Sequence, residues 1–222
     1  MAKPVVHAFA LEQYRKRADI YDLQLLAFEP VRADAIARLA LRPGATVLDV
    51  GCGTGLSFEQ LQQAVGPRGH IIGVEQCPEM LAKARTRVAT HAWTNVALLN
   101  TPVESATIAR KADAALFHFT HDILREADAV DNVLRSLKPG ATVVAAGLQW
   151  AAPWAWATNL LVMAAAMHSV SSLDGLGRPW SLLEQRIGSM VVHDSVLGGV
   201  FIASGVVPGR VPKRASTQRS SG

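Results

Sequence analysis

The residues of this chain with the clearest chemical potential are one aspartate and three glycines that follow an apolar run. Asp49 comes two residues before Gly51, and Gly53 and Gly55 follow at alternate positions. Glycine has no Cβ, so the backbone can turn sharply there and a ligand can lie directly against the main chain. The residues that follow have helical spacing, and a helix N-terminus favours a carboxylate or a phosphate. The pattern predicts a strand, a ligand-binding glycine loop and a helix.

A second acidic residue follows the next predicted strand. Residues 70–74 form an apolar run of the buried-strand type, and Glu75 comes directly after it. Ligands of parallel α/β sheets bind outside the carboxyl ends of the strands. We therefore expect Glu75 to face the same crevice as the glycine loop, where its carboxylate can accept both hydroxyls of a ribose.

The elements that must position these residues alternate along the chain. Alternating strands and helices indicate right-handed crossovers and an α/β fold. We expect a Rossmann-like, seven-stranded, mostly parallel sheet with helices on both faces and a C-terminal antiparallel hairpin. The first predicted strand begins at Thr46, and the other six cover 70–74, 95–99, 113–119, 142–148, 190–197 and 200–206. The predicted helices cover 31–41, the segment after the glycine loop, 78–92, 122–137, 156–170 and a short stretch after Arg178.

Length and composition predict one domain. The chain has 222 residues, half of them apolar, enough for one substantial core. We assign residues 31–207 to that domain and residues 208–222 to a disordered basic tail. Residues 1–30 are interpreted as an N-terminal helical lid, with a helix packed on the domain edge as the alternative.

Cysteine content and charge exclude several classes of protein. The two cysteines, Cys52 and Cys77, are too few for a disulfide framework, and no zinc-site spacing is present. We predict no metal site, a reducing environment and a cytoplasmic protein. The net charge of +4 is explained by the tail, which carries Arg210, Lys213, Arg214 and Arg219. Nucleic acid is an unlikely partner because no aromatic residues are interleaved with the basic ones.

The segment from Pro139 to Leu173 carries no formally charged residue apart from a protonatable His168. A membrane span is disfavoured because Gly147, Gln149 and Pro153 interrupt the run. We predict no integral span but a buried strand followed by an apolar helix, within an apolar cover at about 150–176. This cover either closes a substrate pocket or makes peripheral contact with a lipid surface.

Three of these features together resemble a known family. The run from Asp49 to Gly55, Glu75, and the turn 137–140 are similar to the motifs of class I S-adenosylmethionine-dependent methyltransferases, over about residues 20–148. The Tyr21-Asp22 pair resembles the Tyr-Asp sequence that precedes the domain in family members of the quinone-biosynthesis and lipid type, where the tyrosine caps the cofactor. A dinucleotide fold requires Gly-x-Gly-x-x-Gly, whereas the third glycine here comes one residue early. Asp49 would also repel a pyrophosphate.

The resemblance implies S-adenosylmethionine as cofactor and S-adenosylhomocysteine as product. Gly51 and Gly53 would line the methionine part, Asp49 would neutralise the amino group, and Glu75 would hold the ribose. The family often has an acid after the third strand to bind the adenine, but this chain has Thr101-Pro102-Val103-Glu104 there, so the Val103 N–H with Thr101 is expected to take that part. The full set of cofactor residues implied is Tyr14, Tyr21, Asp49, Gly51, Cys52, Gly53, Gly55, Glu75, Gln76, Thr101, Val103 and His118.

Two histidines stand where methyl transfer is expected. His118 and His121 follow the fourth strand, and a base near neutral pH suits either a nitrogen or an oxygen nucleophile. The alternatives are that His118 only packs against the cofactor and that His121 caps the next helix.

The acceptor is predicted to be a small or lipid-like molecule. Trp150, Trp154, Trp156, Asn159 and His168 form an apolar wall with a few polar groups, as in small-molecule sites, or they are ordinary core and cover. No Asn/Asp-Pro-Pro-aromatic sequence follows the fourth strand, which disfavours methylation of a flipped DNA base. Two other functions stay open: a cofactor-binding module without transfer activity, and an NAD-dependent oxidoreductase. The oligomeric state is not predicted.

Overall fold

The computed structural model describes residues 26–169 and 173–209. The predicted cofactor ligands Tyr14 and Tyr21, most of the predicted lid and the tail from residue 210 onwards lie outside these residues. The two described segments contain a seven-stranded sheet and helices that cover it.

The centre of the fold is a seven-stranded sheet with the order β3-β2-β1-β4-β5-β7-β6. The pairs among β1 to β5 are parallel, and β7 pairs antiparallel with both β5 and β6. The predicted Rossmann-like α/β fold with a C-terminal hairpin is therefore confirmed, with β6 as the outer strand of that hairpin. The strands are β1 Thr46–Val50, β2 His70–Glu75, β3 Val96–Asn100, β4 Ala112–His118, β5 Leu137–Leu148, β6 Val191–Ser195 and β7 Val200–Val206.

Helices cover both faces of the sheet. One hydrophobic cluster joins α1, α2, α3 and α6 to one face, and a second joins α5 and α7 to the other. Each face thus buries the apolar stripe of its helices, as two-layer packing on a sheet requires. The helices are α1 Glu29–Arg38, α2 Phe58–Val65, α3 Pro78–Thr90, α4 His121–Leu124, α5 Ala127–Arg135, α6 Trp156–Ser169 and α7 Ser181–Ile187, with short 3₁₀ turns at Leu26–Phe28 and Val103–Ser105.

Two predicted elements take a different form in the structure. The predicted turn at 137–140 lies inside β5, because Leu137 already pairs with Ala112 and the register shifts before Thr142 pairs with Ala114. The predicted helix 122–137 is two helices, since Glu126 has extended backbone angles (φ −92°, ψ 110°) between them.

Helix α6 is apolar on its exposed side as well as on its buried side. Val162 and Ala166 are buried against the core, whereas Leu161 is 69% exposed and Met167 is 66% exposed. Across residues 26–169 and 173–209, no helix is long and apolar enough to cross a membrane.

Candidate functional site

The glycine loop after β1 has a conformation that only glycine accommodates well. Gly51, Gly53 and Gly55 have φ values of 69°, 56° and 78°, in the left-handed region that L side chains rarely adopt. A Cβ on Gly51 would lie 2.7 Å from Cγ2 of Thr120, and one on Gly55 would lie 2.6 Å from the Phe58 ring. Backbone angle and available space therefore both demand glycine at positions 51 and 55.

Hydrogen bonds to β2 hold the loop and the Glu75 carboxylate together. The N–H groups of Gly51 and Cys52 both donate to the Val74 carbonyl oxygen, at 2.8 and 3.0 Å. The Gly53 N–H donates to Oε2 of Glu75 at 3.1 Å, and the Cys77 N–H donates to Oε1 at 2.7 Å. Burial raises the pKa of Glu75, while these backbone donors lower it. The two predicted cofactor elements thus form one rigid unit at the carboxyl edge of the sheet.

Asp49 presents a buried carboxylate oxygen that no described residue satisfies. The residue is 2% exposed, and its Oδ2 has no hydrogen-bond partner within the described residues. Burial raises the pKa of Asp49 to about 7, with Arg32 opposing the increase and Glu75 adding to it. A buried carboxylate without a partner is costly, and a cationic ligand group would remove that cost. This oxygen fits the ammonium end of an amino acid.

Arg32 is a site residue that the sequence interpretation missed. It is 2% exposed on α1, forms an ion pair with Glu29, and lines the same pocket as Asp49 and His118. Arginine is rarely so buried without a charged partner or ligand. Its helical position indicates its burial, because Arg32 falls on the same helical face as the buried residues Val31, Ala35 and Ile36.

One pocket gathers several of the predicted cofactor residues. The pocket is small, with a cavity volume of about 20 Å³. Burial raises the pKa of the Cys52 thiol in its wall, so this thiol stays protonated. The lining residues are Arg32, Asp49, Gly51, Cys52, Gly53, Thr54, Leu56, Ser57 and His118.

His118 reaches the pocket as a neutral imidazole. Burial, with a smaller effect of the Arg32 charge, lowers its pKa to about 3. Its Nε2 is buried and has no hydrogen-bond partner among the residues that the structure describes. At neutral pH the ring can donate or accept a hydrogen bond, but a group with so low a pKa is a weak general base.

His121, by contrast, is packed inside the fold. It is 6% exposed, and its Nε2 lies 2.8 Å from the Leu148 carbonyl oxygen, to which it donates a hydrogen bond. The ring lies so close to Gly147 that a Cβ there would be 2.5 Å from Cε1, and it also contacts Phe201. Burial lowers the pKa of His121, although the Leu148 hydrogen bond raises it. These contacts give His121 a structural place against β5 and β7.

The predicted adenine contacts lie beside Glu75 at the end of β3. The Thr101 N–H donates to the Glu75 carbonyl oxygen at 3.2 Å. Nδ2 of Asn100 donates to the carbonyl oxygens of Glu75 and Gln76, at 3.0 and 3.1 Å. Val103 is buried at the start of its 3₁₀ turn. Hydrogen bonds therefore join Glu75 and Gln76 to Asn100 and Thr101.

The predicted acceptor residues are spread along α6 and the loop before it. Trp154 is 83% exposed and Trp156 is 73% exposed, and both line a groove of about 410 Å³ that Leu197 of the hairpin tip completes. The Asn159 side chain accepts from the Ala151 N–H at 2.8 Å. Trp150 is half-buried against the core, and the His168 side chain lies outside the described part of the structure. These residues do not line the small pocket around Asp49.

Metal chemistry has no candidate centre in the described segments. No group of three or more His, Cys, Asp or Glu side chains there could hold a metal ion. The two cysteines are free and buried.

Comparison with known proteins identifies the domain that carries the site. A family model described as a methyltransferase domain matches residues 47–140. An arsenite methyltransferase of Halobacterium salinarum is 34% identical over 117 residues, which is 52% of this chain and 30% of that protein. A demethylmenaquinone methyltransferase of Shouchella clausii is 38% identical over 69 residues, which is 31% of this chain and 29% of that protein. Each match thus spans less than a third of the relative's own length.

A solved structure shares the fold over nearly the whole chain. The N-methyltransferase NodS of Bradyrhizobium japonicum, in complex with S-adenosyl-L-homocysteine, superposes with a TM-score of 0.63 at 18% identity. The superposition covers 89% of this chain and 96% of that one.

Proposed function

We propose that this chain is a class I S-adenosylmethionine-dependent methyltransferase that methylates nitrogen or oxygen of a small or lipid-like acceptor, and the match of residues 47–140 to a methyltransferase domain supports this. The observation that carries the proposal is the buried, unpartnered Oδ2 of Asp49 beside the glycine loop and Glu75. A pocket that leaves a carboxylate oxygen unsatisfied is suited to a ligand with an ammonium group.

The residues present fit the parts of this cofactor. Asp49 would accept hydrogen bonds from the ammonium group of the cofactor, and the Arg32 guanidinium would pair with the carboxylate of the cofactor. The backbone of Gly51 and Gly53 would contact the methionine chain. Glu75, held by the Gly53 and Cys77 N–H groups, would accept the ribose hydroxyls.

The chain's own contribution to the reaction is positioning and exclusion of water. The bound cofactor supplies an electrophilic methyl group on a sulfonium. Displacement at that carbon requires an in-line nucleophile, and holding it there lowers the barrier without further chemistry from the protein. His118, neutral at physiological pH, would orient the acceptor by a hydrogen bond rather than remove its proton. An acceptor that arrives unprotonated suits such a site.

An apolar acceptor is supported by α6 and the hairpin tip. β6 runs parallel to β5, so the tip that carries Leu197 lies at the same carboxyl edge of the sheet as the glycine loop. The exposed Trp154 and Trp156, which line a groove with Leu197, add apolar surface there, and this also suits peripheral contact with a lipid surface. The demethylmenaquinone relative also supports a quinone-type acceptor.

A second function, a cofactor-binding module without transfer activity, is favoured by one observation. His118, the predicted base that lines the pocket among the described residues, has a pKa of about 3 and is therefore a weak base. The two functions share the cofactor site and differ in product formation.

Calorimetry and a labelled-methyl assay test the proposal in sequence. Binding of S-adenosylmethionine and S-adenosylhomocysteine to the full chain should be measured first, and absence of binding would contradict both functions. Incubation with methyl-labelled cofactor and fractionated metabolite and lipid extracts should then yield a labelled product. Tight binding with no product in any fraction would favour the binding module.

Replacing Arg32 by Met should weaken S-adenosylhomocysteine about 30-fold, because a buried charged hydrogen bond to the carboxylate is lost. Binding of methylthioadenosine, which has no carboxylate, should change by less than about threefold, since that bond is absent in both proteins. Calorimetry with both ligands separates the effects. Arg38→Met is the matched control, because Arg38 is on the same helix but pairs with Asp34 at the surface. Equal losses for both ligands would contradict the role of Arg32.

Replacing Trp154 by Ala should lower labelled-methyl transfer to a lipid-extract fraction about tenfold, because a large exposed aromatic contact is removed. The affinity for S-adenosylhomocysteine should stay within about twofold, since Trp154 does not line the pocket around Asp49. Trp93→Ala is the control, as Trp93 stacks on His91 after α3. Loss of cofactor affinity with normal acceptor use would contradict a role of Trp154 in acceptor binding.

A further inference from the structure

We propose that Asn132, on α5 and outside the pocket, is a positioning residue that sets the selectivity of this chain for the purine base of its cofactor. The proposal rests on the proposed function, because it assumes that a nucleoside lies with its ribose on Glu75. It concerns the base, whereas the cofactor assignment depends on Asp49 and the glycine loop.

Asn132 holds both ends of the 3₁₀ turn at Val103–Ser105. Its Nδ2 donates to the carbonyl oxygen of Val103 at 2.8 Å and to that of Ala106 at 2.9 Å. A side-chain amide nitrogen has two hydrogens, and both are used here. The turn is also closed by the Ala106 N–H, which donates to the Val103 carbonyl oxygen at 3.2 Å. The main chain of the turn is therefore fixed to α5 by one side chain.

This turn lies where the base of such a nucleoside would be placed. Glu75 is opposite Asn100 in the β2–β3 register, and the Thr101 N–H donates to the Glu75 carbonyl oxygen. Neighbouring strands are about 4.8 Å apart. A ligand whose ribose binds the Glu75 carboxylate therefore has its base within reach of the backbone that follows β3.

The sequence of this turn makes main-chain placement decisive. Thr101, Pro102 and Val103, which follow β3 directly, have no charged side chain, and Val103 is only 5% exposed; the one charged residue of the turn, Glu104, has an exposed side chain. The edge of a purine would then be recognised by backbone N–H and C=O groups of the turn. Backbone groups can discriminate an amino from an oxo substituent only if their positions are fixed, since hydrogen bonds weaken steeply with distance and angle. Asn132 supplies that constraint from outside the site.

A second asparagine offers a matched comparison at the opposite edge of the sheet. Nδ2 of Asn95 donates to the carbonyl oxygens of Gly66 and Gly69, at 3.3 and 2.9 Å. This contact joins the start of β3 to the turn before β2, away from the carboxyl edge. Replacing Asn95 removes the same kind of backbone restraint without touching the predicted base site.

The test compares the affinities of two ligands for each variant. Calorimetry should be done with S-adenosylhomocysteine and with S-inosylhomocysteine, which has an oxo group in place of the purine amino group. We expect wild type to prefer the adenosyl compound about tenfold and Asn132→Leu to prefer it about twofold, because the base contacts lose their fixed donors and acceptors. Asn95→Leu should lower the melting temperature but keep the wild-type preference.

The outcomes separate the proposal from a general loss of stability. Asn132→Gln keeps the amide donor on a side chain one methylene longer, so it should give an intermediate preference and also serves if Asn132→Leu does not fold. An unchanged preference in the Asn132 variants, or an equal loss in Asn95→Leu, would overturn the positioning role. Failure of wild type to bind either ligand would instead overturn the proposed function with it.

Discussion

Replacing Asp49 by Asn should weaken binding of S-adenosylhomocysteine about 100-fold, which corresponds to one buried hydrogen bond between charged groups. The side chains have the same shape, so the fold should persist. Asparagine keeps one acceptor oxygen, but it loses the second carboxylate oxygen and the negative charge that the ligand ammonium group would neutralise. Isothermal calorimetry measures the loss, and circular dichroism of the unliganded variant checks that the chain is folded.

Asp113→Asn is the matched control for this experiment. Asp113 is the second residue of β4, at the opposite edge of the sheet. Its carboxylate accepts hydrogen bonds from the Thr46 N–H at 2.9 Å and from Lys138 at 2.7 Å. This variant should bind S-adenosylhomocysteine as wild type does. Unchanged affinity in Asp49→Asn would remove the main support for the cofactor site.

Without ligand, the stability advantage of Asp49→Asn over wild type should increase as pH rises from about 4 to about 7. The pKa of Asp49 is raised from 3.8 to about 7 by burial. Stability from a group with a raised folded-state pKa is fully present below the unfolded pKa and is lost as pH rises through the folded pKa. Wild type should therefore lose up to about 4 kcal/mol across this window relative to Asp49→Asn, at 1.36 kcal/mol per pH unit.

Urea unfolding of both proteins at several pH values measures this difference. His118 changes stability in the opposite direction, since its lowered pKa makes wild type less stable as pH falls from about 6.5 towards 3. Only the difference between wild type and Asp49→Asn isolates the aspartate. Burial tends to raise the pKa of Asp113, but the Lys138 and Thr46 contacts lower it overall, so Asp113→Asn should show its stability difference only in acid. A pH-independent difference for Asp49→Asn would contradict the raised pKa.

Local sequence was sufficient to predict the sheet and the glycine loop. The apolar runs before Asp49 and Glu75 predicted β1 and β2, and these runs form strands because their residues are buried on both faces. The spacing of Gly51, Gly53 and Gly55 predicted the loop. In the structure each of them adopts a positive φ, which favours glycine. Their adjacency to Glu75 followed from the rule that parallel strands present their carboxyl ends at one edge.

The structure changed the interpretation of three side chains near the site. Arg32 has no motif around it, and its burial beside Asp49 depends on how α1 packs over the carboxyl edge. His118 and His121 were equivalent candidates by position, but the strand end directs one into the pocket and the helix start directs the other onto Leu148 and Phe201. The low pKa of His118 is a consequence of burial, which no single-residue pattern contains.

The sequence by itself determined the fold class, the family resemblance and the glycine loop with its two acids. These features depend on backbone conformation and on residues close together along the chain, where steric rules and strand periodicity act directly. Only the tertiary structure decided that Arg32 joins Asp49, that His121 is packed away, and that Asn132 holds the Val103 turn from another helix. Those contacts join residues far apart in sequence, and their burial and charge environment exist only after the helices have packed on the sheet.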